Sequence, residues 1–174
     1  MKSKDALQKL LPSFEKYYDV KTEGALSPFV AEAEFHTHEE QYVLVRSAKI
    51  SESESNEYIF FAAEEHLSCP MLAELENLAW QTGLSRVHPH YGHRNSDVTL
   101  VLLADSVDEE AFLAIKRIHR TKSYMFTFKG WSNFKVICME LNTFKLAYNR
   151  LGGDLKKVLK QIPQLQENAA AESD

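Results

Sequence analysis

Three histidines, His88, His90 and His93, fall within six residues and are bracketed by Pro89 and Gly92. Three imidazoles on one loop could bind zinc and leave a coordination position open for water, the arrangement of a hydrolytic metal centre. A predicted strand at 29–37 places Glu32, Glu34, His36 and His38 on one face, so His36 and Glu34 could add ligands or a general base. The spacing matches no established zinc signature, and no H-E-x-x-H pattern is present. Exposed or structurally bonded histidines explain the loop more simply. Four alternating polar residues likewise describe a strand with one wet face.

The second chemical candidate is the segment RIHRTKSYMFTFKGWSNFK at 117–135. Arg117, Arg120, Lys122, Lys129 and Lys135 could neutralise phosphates, while Trp131 and its aromatic neighbours offer stacking surfaces, which is the physics of single-strand binding. Tyr124, Phe126 and Phe128 share a face if 123–129 is a strand, and that places them in the core instead. Charge sharpens the question. Residues 1–115 carry 9 Lys/Arg against 20 Asp/Glu, whereas 116–160 carry 11 against Glu140 and Asp154 alone. The split suits an anionic partner, but the two halves could equally neutralise each other within a molecule or across a homo-oligomer. The acidic remainder would also repel a long polyanion unless it faces elsewhere.

Other chemistries are excluded by what the chain lacks. It has no Gly-rich phosphate loop, no dinucleotide fingerprint and no G-x-S-x-G elbow. Its two cysteines, Cys69 and Cys138, lie far apart and form neither a disulfide framework nor a cysteine-rich zinc site. No apolar run reaches the roughly 20 residues of a membrane helix, and the start lacks the pattern of a secretory signal. A cytoplasmic protein without a membrane partner is the resulting expectation, and the sequence names no cofactor.

These residues must be held by a scaffold, and periodicity predicts one. An amphipathic helix spans 4–18, interrupted at Pro12. Strands follow at about 29–37, 41–50 and 57–63. A helix begins after Ser68 with Pro70 in its first turn and stops near Gly83, and a polar loop covers 85–96. Val98 to Ala104 reads as a strand buried on both faces. Ser106 and Glu109 have capping-box spacing before a helix at about 107–120. Strands at 123–129, 134–141 and 144–148 and a helix after Gly152-Gly153 complete the chain. The expectation is one α+β domain over 1–162, with helices flanking a mixed or antiparallel sheet in the order α-βββ-α-β-α-βββ-α. Residues 163–174 read as a disordered acidic tail.

The run FEKYYDV at 14–20, the block EEQYVLVRSAKI…NEYIFF, the H-x-x-S of His93 and Ser96, the stretch KSYMFTFKGWSNFKV, and Asn149 followed by Gly152 resemble an uncharacterised family of bacterial proteins. That resemblance spans about 14–160 and implies no catalytic residue. The order αβββαβ is also similar to the restriction-endonuclease-like core. Those nucleases use an acid on the second strand and a Glu-x-Lys pair on the third. Here the second predicted strand offers Arg46 and Lys49, and the third starts at Glu57 without a lysine. The resemblance therefore implies a nuclease site that is absent or relocated. The favoured reading is a non-catalytic binding or interaction protein. A metal-dependent hydrolase or nuclease-like enzyme built on the histidine loop comes next, and a nucleic-acid or anion binder using 116–160 follows.

Overall fold

A computed structural model describes residues 1–36 and 54–165. The chain opens with two short helices, Ser3–Leu10 (α1) and Pro12–Glu15 (α2), divided where Pro12 cannot donate a helical hydrogen bond and begins the second helix instead. Ala6, Leu7, Leu10 and Phe14 form their buried stripe. Strands Asp19–Lys21 (β1), Ala31–His36 (β2) and Glu54–Leu67 (β3) pair as an antiparallel meander. The three-residue β1 is too short to show a period, and sequence patterning does not reveal it. The predicted strand at 41–50 lies outside the described residues.

Helix Cys69–Ser85 (α3) starts as expected, with the Ser68 hydroxyl accepting from the Met71 N–H and Pro70 in the first turn. It crosses to His93–Val107 (β4), parallel to β3, and Glu109–Arg117 (α4) crosses in turn to Trp131–Glu140 (β6), parallel to β4. The edge of β6 carries two short antiparallel strands, Thr121–Ser123 (β5) and Lys145–Tyr148 (β7). A 3-10 turn at Gly152–Leu155 leads into Lys156–Leu159 (α5). Among the described residues the result is an α+β fold around one seven-stranded mixed sheet, ordered β1-β2-β3-β4-β6-β5 with β7 also on β6. Side chains alternate along β3, β4 and β6, so Phe60, Leu100 and Val136 meet α3 and α4 while Phe61, Val101 and Ile137 meet α1, α2 and α5.

Three local expectations shift. Gly83 does not stop α3, which runs on to Ser85; a Cβ there would come within 2.5 Å of the Val98 side chain, so the glycine lets the helix approach β4. Ser106 does not cap α4, because β4 continues through Val107 and Asp108 takes the cap position. The even face of β2 is not wet at Glu32, which is only 4% exposed and is covered by Arg86. The predicted acidic tail falls, beyond Leu165, outside the described residues.

The C-terminal ends of the parallel strands serve structure. Asp105 accepts from the Ser3 N–H (2.8 Å) and from Lys2 Nζ (2.9 Å), neutralising the open N-terminus of α1. Burial alone would raise the Asp105 carboxyl, but the bonds from Lys2 and Ser3 outweigh it and hold its pKa below the usual 3.8. Its contribution is therefore present above that value and lost as pH falls through the lower, folded one. Asp105→Ala is expected to cost about 1 kcal/mol, as for loss of a helix cap. Urea titrations across the acid range should show the variant's deficit shrinking as Asp105 of the wild type protonates.

Candidate functional site

Residues 124–130 do not form the predicted strand. β5 ends at Ser123, and Met125, Phe126 and Thr127 take left-handed φ values of 47°, 52° and 77°. Left-handed backbone is costly for side chains of this bulk and persists only where the surroundings impose it. Here the turn bonds impose it: Phe128 N–H reaches the Met125 carbonyl, Gly130 N–H the Thr127 carbonyl, and Tyr124 and Gly130 close the base. The period-two logic that groups Tyr124, Phe126 and Phe128 fails in a left-handed turn. Tyr124 packs against the core, but Phe126 is 93% exposed, Phe128 74% and Met125 54%.

The histidine loop fastens this turn. His93 opens β4 and is buried. Its Nδ1 lies 2.8 Å from the Lys129 carbonyl, which can only accept, so Nδ1 carries the proton. Nε2 then accepts from the Ser96 hydroxyl at 2.8 Å. The ring also meets Tyr124 edge-on, and Tyr124 Oη contacts Ser132 Oγ at 3.0 Å. Gly130, at φ +84°, leaves no room for a Cβ, which would sit 2.5 Å from His93 Nδ1 and from the Arg94 carbonyl. The peg formed by His93 and Ser96 brings Tyr91 to the tip of this turn: it is 75% exposed, with Lys129 Nζ 5.2 Å from its ring centroid. The tip thus combines Tyr91, Met125, Phe126 and Phe128 with Lys122, Lys129 and Arg94.

Among the described residues the proposed metal ligands come together only in part, with the His90 and His93 ring centroids 6.1 Å apart. His93 uses both ring nitrogens, His88 and His90 are exposed, and His90 Nδ1 lies 2.9 Å from the His88 carbonyl. Glu34 bonds Arg86 at 2.7 Å on the α3 side of the sheet; the His36 side chain lies outside what is described. Among the described residues, no three His, Cys, Asp or Glu side chains are placed to share a metal ion.

The candidate anion-binding residues also divide. Lys122, exposed beside Tyr124, and Lys129 belong to the tip, and Arg117 is exposed in the last turn of α4. Arg120 is held by Glu76 at 2.6 Å, and Trp131 is half-buried in register with Asn95 and Ser123. Lys135 turns to the opposite face of the sheet.

A family model for a domain of unknown function, DUF8052, matches residues 2–161. The chain belongs to that family. No curated protein and no solved structure matches it. Within the DUF8052 domain, the H-x-x-S spacing has a structural reason: His93 and Ser96 are the peg that fixes the tip.

A second polar constellation of the DUF8052 chain has no counterpart among the sequence motifs. Glu57 on β3, Asp97 on β4 and Lys135 on β6 occupy adjacent rows on the α1 side of the sheet. Lys135 Nζ is 2.9 Å from Asp97 and 3.5 Å from Glu57, while Glu57 accepts from Tyr18 Oη and Thr99 Oγ1, both at 2.8 Å. Asn95 and Asn133 each donate to Asp97 at 3.2 Å. No single segment holds these groups, so no local pattern announces them. Burial by itself lowers the Lys135 pKa, but Glu57, Asp97 and Asp154 raise it above 10.5 on balance. Lys135 therefore stabilises the fold below pH 10.5, and that contribution is lost as pH rises through its folded value. Lys135→Met should cost about 1–3 kcal/mol by stranding sheltered carboxylates. Alkaline unfolding curves should show the difference from wild type narrowing.

Proposed function

We propose that this protein is a non-catalytic binding protein and that the aromatic tip of Tyr91, Met125, Phe126 and Phe128 is its contact surface. The observation that carries this reading is the exposure of Phe126 and Phe128 on a turn held left-handed at three consecutive non-glycine residues. An apolar cluster in water on a strained support contributes little to folding, and such patches mark sites of contact. The Glu57–Asp97–Lys135 row is saturated by its own partners and acts as an anchor between the strands and Tyr18. The two ring nitrogens of His93 are likewise occupied, Nδ1 by the Lys129 carbonyl of the tip and Nε2 by Ser96 of β4.

Phe126→Ser/Phe128→Ser tests the reading. The double variant should unfold within about 0.5 kcal/mol of wild type, as surface substitutions do. A macromolecule should co-purify with the native protein under gentle conditions and be lost from the double variant, whereas Leu113→Ser, at an exposed apolar position on α4, should keep it. Large destabilisation of the double variant, or undiminished co-purification, would contradict a contact role.

A further inference from the structure

We infer that the ligand of the tip is single-stranded nucleic acid, an assignment that rests on the binding role proposed for the tip. Charge complementarity carries it. The two segments that meet at the tip, 91–96 and 122–130, contain Arg94, Lys122 and Lys129 and no Asp or Glu, whereas the flanking Arg86, Arg120 and Lys135 are already paired with carboxylates. Three contacts join the segments: His93 to the Lys129 carbonyl, Gly130 against His93 and Arg94, and Lys129 over Tyr91. Of these three cations, Arg94 and Lys122 are exposed and Lys129 is half-buried. A protein pocket for three aromatic rings would not require the exclusion of carboxylates. A phosphate chain does, because each acid nearby would repel it.

The placement of charge relative to rings separates a nucleic acid from a bilayer. Lys129 Nζ lies 5.2 Å from the Tyr91 centroid and Lys122 Nζ 5.5 Å from that of Tyr124. The Lys129 ammonium therefore sits over an exposed ring of the tip, and inserting Tyr91 into a membrane would draw that charge toward hydrocarbon, which is unfavourable. Bases and phosphates alternate along a single strand at this same spacing of a few ångströms, so a base can stack on Phe126, Phe128 or Tyr91 while its phosphate meets Lys122, Lys129 or Arg94. A duplex conceals its base faces and offers the rings nothing. The acidic remainder of the chain confines the strand to the tip, giving a short footprint of a few nucleotides.

Fluorescence anisotropy with labelled 20-mers of thymidine and uridine, and with a 20-base-pair duplex, tests this. Single strands should bind at least tenfold more tightly than duplex. If about three phosphates are neutralised, affinity should fall roughly twentyfold between 50 and 200 mM salt. Phe126→Ala and Phe128→Ala should each weaken binding roughly five- to 150-fold, and Lys122→Glu/Lys129→Glu should flatten the salt dependence. Leu113→Ser should leave affinity unchanged, and urea titration of each variant distinguishes lost binding from lost folding. No binding at micromolar protein, or equal binding of duplex and single strand, overturns the assignment. If neither oligonucleotide binds while the co-purifying macromolecule still depends on Phe126 and Phe128, the tip remains the contact surface and nucleic acid is the part that fails. Binding to anionic vesicles alone would likewise remove nucleic acid as the ligand and leave the contact surface standing. Oligonucleotide binding that survives Phe126→Ser/Phe128→Ser would overturn both.

Discussion

Asn149→Ala is expected to destabilise the protein by about 2–5 kcal/mol, with no change at the tip. The edge of β6 is shared: β5 pairs with Trp131–Asn133 and β7 with Ile137–Glu140, which leaves the backbone between them to be satisfied by other means. The buried Asn149 side chain does this. Its Oδ1 accepts from the Val136 N–H (3.1 Å) and the Gly152 N–H (2.8 Å), and its Nδ2 donates to the Phe134 carbonyl (2.9 Å) and the Ile118 carbonyl (3.2 Å). Gly152 is required alongside, since a Cβ there would overlap the Val136 carbonyl. Truncation orphans a buried donor and a buried acceptor on β6, each worth about 1–3 kcal/mol. Asn149→Asp keeps the acceptor but aims a carboxylate at two carbonyls, so it should be no better than alanine. Urea unfolding reads both variants; a cost below about 1 kcal/mol for alanine would show that the edge is satisfied without the amide.

Arg86→Met is expected to cost about 3–5 kcal/mol, the range for removing one partner of a buried ion pair. Arg86 Nη2 is 2.6 Å from Glu32 and Nη1 is 2.7 Å from Glu34, and its guanidinium lies 5.2 Å from the Phe60 centroid. Glu32 also accepts from the Leu26 N–H at 2.7 Å, which ties the chain ahead of β2 to the sheet. Without the arginine, the buried Glu32 carboxylate keeps that backbone donor and loses its counter-charge. Removing the charge as well should recover much of the loss, so Glu32→Gln/Arg86→Met should be more stable than Arg86→Met alone. A double-mutant cycle by urea denaturation measures this, and strict additivity would show that the pair is uncoupled.

The scaffold was legible where periodicity or punctuation is strong. Pro12 divides the first helix, Ser68 and Pro70 begin α3, and the run around Val98–Ala104 marks a strand buried on both faces. Legibility failed where a distant group decides the local outcome. Gly83 looks like a helix stop until Val98 is opposite it, and Glu32 looks solvated until Arg86 covers it. The candidate site divides the same way. The basic, aromatic segment 117–135 and the H-x-x-S spacing are visible, but alternation places Phe126 and Phe128 in a core they do not enter. The left-handed turn responsible is closed by its own backbone hydrogen bonds and fastened by His93 reaching Lys129 across 36 residues, a contact that no local pattern encodes. The Glu57–Asp97–Lys135 row is hidden for the same reason, being assembled across three strands.

Site-specific photocrosslinking from the tip tests the central claim most directly. A photoreactive phenylalanine analogue at position 126, compared with the same analogue at exposed positions Tyr17 and Leu113, should capture a macromolecule in living cells from position 126 alone. If that macromolecule is the single-stranded nucleic acid inferred for the tip, the adduct should be nuclease-sensitive. Capture that is equal at all three positions, or absent at 126, would contradict a dedicated contact surface at the tip.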